Sequence, residues 1–166
     1  MVDPLIGKVL NNQYSIEKFL GRGGMSDVYL AWDQQRSTYL AVKFLRQDLI
    51  EDHVFLNRFD QEANTLAKLQ HPNIVRFYGI EKDNGLVFIL MDFIDGSTLQ
   101  SVINQNSGKP LKQAYINKVM HAVCSALHFA HQQSLIHCDI KPANIMINQH
   151  EEVLLTDFGI TRVMDT

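Results

Sequence analysis

The sequence predicts an α+β fold in two lobes, the first built on antiparallel strands and the second mainly helical. Three observations carry this expectation. The opening runs alternate or are rich in β-branched and aromatic residues, apolar residues recur at helical steps in residues 51–70 and again beyond residue 98, and the polar stretch DGSTL at 95–99 separates the two regimes. YSIEKFL (14–20) alternates, with Tyr14, Ile16 and Lys18 on one side, and ends at Gly21. DVYLAWD (27–33) and TYLAVKFL (38–45) are β-branched and aromatic, and the polar QQRS joins them as a hairpin turn. Phe55, Phe59, Glu62, Leu66 and Leu69 then share one side of a helix that stops at HPN. NIVRFYGI (73–80) and LVFILMDF (86–93) complete an expected sheet of five antiparallel strands plus one helix over residues 1–95. Residues 96–166 supply a short helix around Leu99, Val102 and Ile103, and a long one whose apolar side is Ile116, Val119, Val123, Leu127 and Ala130. Two short strands, NIMIN and EVLLTD, follow and turn at QH.

Composition excludes several function classes. The 166 residues are 46% hydrophobic and 20% charged, an ordinary globular balance with no low-complexity linker. A net charge of -3 without a basic stripe argues against a nucleic-acid partner. Two cysteines, Cys124 and Cys138, make no disulfide framework and fit a reducing compartment. No apolar run approaches the roughly 20 residues of a membrane helix, so the chain is expected to be cytoplasmic, although a parent chain could be anchored beyond residue 166.

Several residues carry more chemistry than their surroundings suggest. LGRGGMSDVYLA sets Gly21, Gly23 and Gly24 between two strands, which suits either a glycine-rich hairpin or a loop aiming N–H groups at phosphate oxygens. Lys43 lies in the apolar LAVKFL. It is either a snorkelling lysine or the partner of Glu62, which sits among the apolar residues of the next helix. LIHCDIKPANIMIN (135–148) crowds His137, Asp139, Lys141 and Asn144 between branched apolar residues that imply a core, where polar groups need partners or a ligand. Asp157, in LLTDFGI, ends an apolar strand; an ordinary turn or a metal-binding carboxylate would account for it.

The order of these motifs resembles the protein kinase signature set: glycine-rich loop, AVK strand, helical Glu, His-x-Asp-x-Lys-Pro-x-Asn, then Asp-Phe-Gly. The DIKPAN form is similar to the serine/threonine branch, and GRGGMSDVYLAWD to bacterial kinases of the eukaryotic-like type. The resemblance implies a complete N-lobe over 1–95, a hinge at 91–96, and a partial C-lobe over 96–166 with its catalytic loop at 137–144 and Asp-Phe-Gly at 157–159. It implies ATP, Mg²⁺ and a protein substrate bearing Ser or Thr. Gly21, Gly23, Gly24 and Ser26 would cover the phosphates, and Lys43, paired with Glu62, would hold the α- and β-phosphates. Val28, Ala41 and Met146 would sandwich adenine. Met91 would be the gatekeeper, with Asp92 and Ile94 offering backbone groups to the adenine edge. Asp139 would accept the hydroxyl proton, Lys141 would steady the γ-phosphate, and Asn144 and Asp157 would bind the metal. Leu66, Phe77, His137 and Phe158 match the stacked regulatory spine, which makes His137 structural.

Three departures qualify the resemblance. Ser26 stands where the motif has its third glycine. The sequence closes at GITRVMDT, so the expectation is a domain truncated shortly after Asp-Phe-Gly, with apolar surface left uncovered and poor solubility or association as a result. Such a chain is either part of an active kinase or a nucleotide-binding, pseudokinase-like module. Cys138 replaces the arginine of His-Arg-Asp and is expected to be a small buried residue. Since that arginine pairs with a phosphorylated activation segment in the family, activity here is expected not to depend on such phosphorylation. Cys138→Arg should therefore leave basal phosphate transfer similar; a collapse of the rate would contradict this.

Overall fold

β-branched and aromatic residues in alternation build the first of two units into a six-stranded antiparallel sheet. The computed structural model describes residues 3–23, 26–46, 50–51, 63 and 66–158. The first unit joins Met1–Ala67 with Phe77–Phe93, and the second joins Lys68–Arg76 with Ile94–Thr166.

The strands of the first unit are β1 (Val9–Leu10), β2 (Tyr14–Arg22), β3 (Ser26–Asp33), β4 (Thr38–Leu45), β5 (Phe77–Asp83) and β6 (Leu86–Asp92), in the order β1-β2-β3-β4-β6-β5. β2 to β6 are the five expected strands. β1 adds a sixth at the edge, too short to leave an alternating pattern in the sequence. One face of the sheet gathers the core: Tyr14 and Ile16, Tyr29 and Ala31, Leu40, Val42 and Phe44, and Phe88 and Leu90. Edge-on ring contacts run through it, with centroids 5.4 Å apart for Tyr29 and Phe44 and 6.2 Å for Tyr14 and Phe88. In β2 the alternation fails after Ile16. Register shifts between Ile16 and Lys18 and between Phe19 and Gly21 leave Lys18 exposed, not aligned with Tyr14 and Ile16. The helix expected over 51–70 falls mostly outside the described residues, Phe55, Phe59 and Glu62 included. Of its remainder, Ala63 and Leu66 are buried, and Ala67 N–H donates to Ala63 O at 2.9 Å.

The second unit holds β7 (Gly96–Thr98), α1 (Leu99–Gln105), α2 (Gln113–Gln132), a 3₁₀ turn (Pro142–Asn144), β8 (Ile145–Asn148) and β9 (Val153–Leu155). α1 starts where the Thr98 hydroxyl accepts the Ser101 N–H at 3.1 Å. The buried side of α2 is Val119, Ala122, Val123, Ala126 and Ala130, packed against β9. Ile116, expected on that side, is exposed, and Leu127 is half-buried. Alanines make up three of the five buried positions, although hydropathy weights them weakly.

One expected strand, NIVRFYGI, divides between the two units. Its first half adds to the β7-β8-β9 sheet: Val75 N–H donates to Leu155 O at 2.9 Å, Leu155 N–H to Asn73 O at 2.8 Å, and the Asn73 amide to Val153 O at 2.8 Å. Its second half is β5. A single apolar run thus serves two sheets, and the division between units is not a single cut at residue 95.

Gly96 makes the β7–β8 pairing possible, because a Cβ there would lie 2.0 Å from Ile147 O and 2.8 Å from the Asn148 Cα. Both are backbone atoms that a rotamer change cannot move. Gly96→Ala should destabilise the second unit by about 1–3 kcal/mol, seen as a lower urea midpoint; an unchanged midpoint would contradict the close approach.

Candidate active site

In the first unit, pairing register sorts the site residues. Val28 lies opposite Lys43, which lies opposite Ile89; Ala41 lies opposite Met91. Directly paired residues share a face, so Val28, Ala41, Lys43 and Met91 occupy the face opposite the aromatic core. A lysine in LAVKFL is therefore tolerated without entering that core, and it is half-buried. Glu62 lies outside the described residues. Asp92 ends β6 and is half-buried, as is Ile94 just beyond it.

The glycine-rich turn is closed by Gly23 N–H donating to Ser26 O at 2.8 Å, and Ser26 is buried. Gly24 lies outside the described residues. A Cβ at Gly21 would meet nothing within 4 Å, and at Gly23 only Ser26 atoms at 3.5 Å or more. Neither has a left-handed backbone, so internal packing does not demand glycine at either position. The absent side chains instead leave the backbone open to an external group.

In the second unit, the loop between α2 and β8 is inverted in polarity. His137 and Asn144 are 1% and 6% exposed, whereas Ile136 and Ile140 are 54% and 47% exposed. Of the branched residues around the polar cluster, Ile136 and Ile140 face solvent while Ile145 is buried, so the core expected on both sides is met on the C-terminal side only. Cys138 also departs from expectation. It is exposed, with φ 66°, and its thiol donates to Ile136 O at 3.7 Å. The left-handed turn at Cys138, between buried His137 and half-buried Asp139, accompanies a side chain left in solvent.

His137 organises this loop. Its Nε2 must be protonated to donate to Thr156 O at 2.8 Å, which leaves Nδ1 to accept the Asp139 N–H at 3.2 Å. Phe158 packs against the ring, centroids 4.5 Å apart. Thr156 was not singled out from sequence, since a main-chain carbonyl carries no signal in residue type. Asp157 follows with φ 61°, a left-handed conformation that costs a non-glycine residue roughly 1 kcal/mol. Such strain concentrates at functional sites.

Asp139 is held on one oxygen. Lys141 Nζ lies 2.6 Å from Oδ2, and the Asn144 amide donates to Oδ2 and to Asp139 O, both at 2.9 Å. Among the described residues nothing bonds Oδ1. The hydrogen bond from Lys141, seconded by Asn144, holds the carboxyl below the usual carboxylate range. Asp139 is therefore ionised at neutral pH and weakly basic. With the Asn144 NH₂ group turned to Asp139, its amide oxygen and the Asp157 carboxylate are hard oxygen donors, the kind that would suit Mg²⁺. Met146, on β8, is half-buried. No helix among the described residues is long and apolar enough to cross a membrane.

Burial pushes the His137 pKa below its ordinary 6.5. The unfolded chain then takes up a proton that the folded one resists, so this contribution to stability is whole above about pH 6.5 and is lost as pH falls through the depressed value. His137 ring resonances should titrate below pH 6.5 by NMR, with the urea midpoint falling in the same window. A midpoint at or above 6.5 would contradict the neutral, doubly bonded ring.

Residues 14–166 match the protein kinase domain family. The serine/threonine-protein kinase PrkC of Bacillus subtilis is 38% identical over 162 residues, spanning 98% of this chain and 25% of PrkC. The serine/threonine-protein kinase PknB of Mycobacterium leprae is 42% identical over 159 residues, 93% of this chain and 25% of PknB. The chain thus spans about a quarter of these relatives' length. The crystal structure of the Mycobacterium tuberculosis PknI kinase domain aligns with a TM-score of 0.84 at 30% identity, over 93% of this chain and 62% of that one. With the motif order and the fold in agreement, the chain belongs to the protein kinase domain family.

Proposed function

We propose that the chain carries the nucleotide-binding and catalytic residues of a serine/threonine protein kinase that transfers the γ-phosphoryl group of ATP to a protein hydroxyl. The arrangement around Asp139 supports this most directly: one carboxylate oxygen is fixed by Lys141 and Asn144 while the other faces no protein donor among the described residues. Such a carboxylate can orient a Ser or Thr hydroxyl and accept its proton.

In the transfer, the hydroxyl oxygen bonds to the γ-phosphorus, the bond to the β,γ-bridging oxygen breaks, ADP leaves, and the hydroxyl proton passes to Asp139. A weakly basic carboxylate suffices because phosphoryl transfer goes through a loose transition state that asks little activation of the nucleophile. Lys141 steadies the γ-phosphate. Lys43, with Glu62 as its partner, holds the α- and β-phosphates, and the Gly21, Gly23, Gly24 and Ser26 turn covers them. Val28, Ala41 and Met146 bracket adenine, Met91 bounds its pocket, and backbone groups of Asp92 and Ile94 read its edge. Asn144 and Asp157 hold Mg²⁺, which when bound neutralises charge on the phosphate oxygens. Two free, exposed cysteines support a reducing, cytoplasmic setting for this activity.

Transfer of labelled γ-phosphate to a generic basic protein tests the reading. Asp139→Asn should lower the rate roughly 10²- to 10⁴-fold while retaining Mg·ATP binding by calorimetry. Equal transfer by the two proteins would overturn the assignment of Asp139. Binding of Mg·ATP without transfer by wild type would leave a nucleotide-binding, non-catalytic module.

A further inference from the structure

β5 carries an irregularity at the end of the sheet where Asp92 lies. Its register jumps from Phe77 opposite Met91 to Gly79 opposite Leu90, so Tyr78 is an extra residue, and Gly79 beside it has φ 152°. A bulge re-aims one side chain, and glycine provides the backbone freedom that this one uses. The re-aimed Tyr78 hydroxyl donates to Asp92 Oδ1 at 2.6 Å, next to Phe93, where the first unit ends.

Tyr78 is held from a second side. The Arg36 guanidinium lies 5.0 Å from its ring centroid, and Arg36 Nη1 is 2.6 Å from Asp33 Oδ2. Asp33 is fully buried. It also accepts from the Gln13 amide at 2.9 Å and from the main-chain N–H groups of Gln35 and Arg36 at 3.0 and 3.2 Å. A buried, saturated carboxylate thus fixes a guanidinium, the guanidinium fixes a ring, and the ring's hydroxyl fixes the side chain of Asp92.

We propose that Tyr78 is a positioning residue for nucleotide recognition. Tethering the Asp92 carboxylate restrains the Asp92 main chain, so the carbonyl that meets the adenine edge is set before the nucleotide arrives and less ordering is left to binding. This rests on the proposed nucleotide site. A purely structural role for Tyr78 would lower stability without distinguishing the adenine end of a ligand from its phosphate end.

Tyr78→Phe keeps the ring over which Arg36 lies and removes only the hydroxyl. Using the 166-residue chain, dissociation constants are measured for Mg·ATP, ADP, adenosine and magnesium tripolyphosphate. The expected result is a weakening of roughly 3- to 10-fold, equal for the three adenine compounds and absent for tripolyphosphate. Asp92→Ala should act alike, and the double variant should bind no more weakly than Asp92→Ala alone. Unchanged adenosine binding by Tyr78→Phe, equal loss for tripolyphosphate, or additive single effects would overturn the proposal. If wild type binds Mg·ATP and Lys43→Met weakens it while Tyr78→Phe does not, only the positioning role falls. If folded wild type binds no Mg·ATP, the nucleotide site falls with it.

Discussion

Pairing register across β3, β4 and β6 is the constraint on which the first unit depends. Because side chains alternate with a period of two, one alignment sends Tyr29, Leu40, Val42, Phe44, Phe88 and Leu90 to the core and sends Val28, Ala41, Lys43 and Met91 to the other face. A slip by one residue would exchange these sets, burying Lys43 among aromatic rings. The aromatic contacts that stabilise the sheet therefore also keep the lysine on the opposite face.

In the second unit the same economy rests on His137. A neutral ring with a proton on Nε2 joins the loop between α2 and β8 to the segment entering Asp157, through one bond to Thr156 O and one from Asp139 N–H. Its burial disfavours the charged form, and the two hydrogen bonds set the tautomer. The polarity inversion of this loop follows: the residues with specific partners, His137 and Asn144, are inside, and Ile136 and Ile140 are left outside.

Much of this was legible in the sequence, for physical reasons. The β3, β4 and β6 runs are rich in β-branched, aromatic and other apolar residues, and their boundaries follow from turn residues at QQRS and DNG. Lys43, Asp139 and Asp157 stood out because charged groups in apolar runs need an explanation, and their order pointed to one family. Features that depend on pairing were not legible. Strict alternation in β2 hid two bulges, NIVRFYGI gave no sign of serving two sheets, and Tyr78 resembled any strand tyrosine. The buried face of α2 was partly missed because Ala122 and Ala126, though buried, are weakly hydrophobic. Cys138 was expected inside because its composition suits a core, whereas the left-handed loop leaves it in solvent.

The pairing of residues 73–75 with β9 bears on how the chain acquires its fold. The Asn73 amide and Val153 O are 80 positions apart, so during synthesis the earlier segment emerges long before its partner exists. Until then it is an exposed apolar edge flanked by a sheet that can already form. Closing so long a loop is entropically slow, and contacts of this range lower folding rates. The second unit is thus bound to mature late, with its final hydrogen bonds drawn from residues translated before most of it.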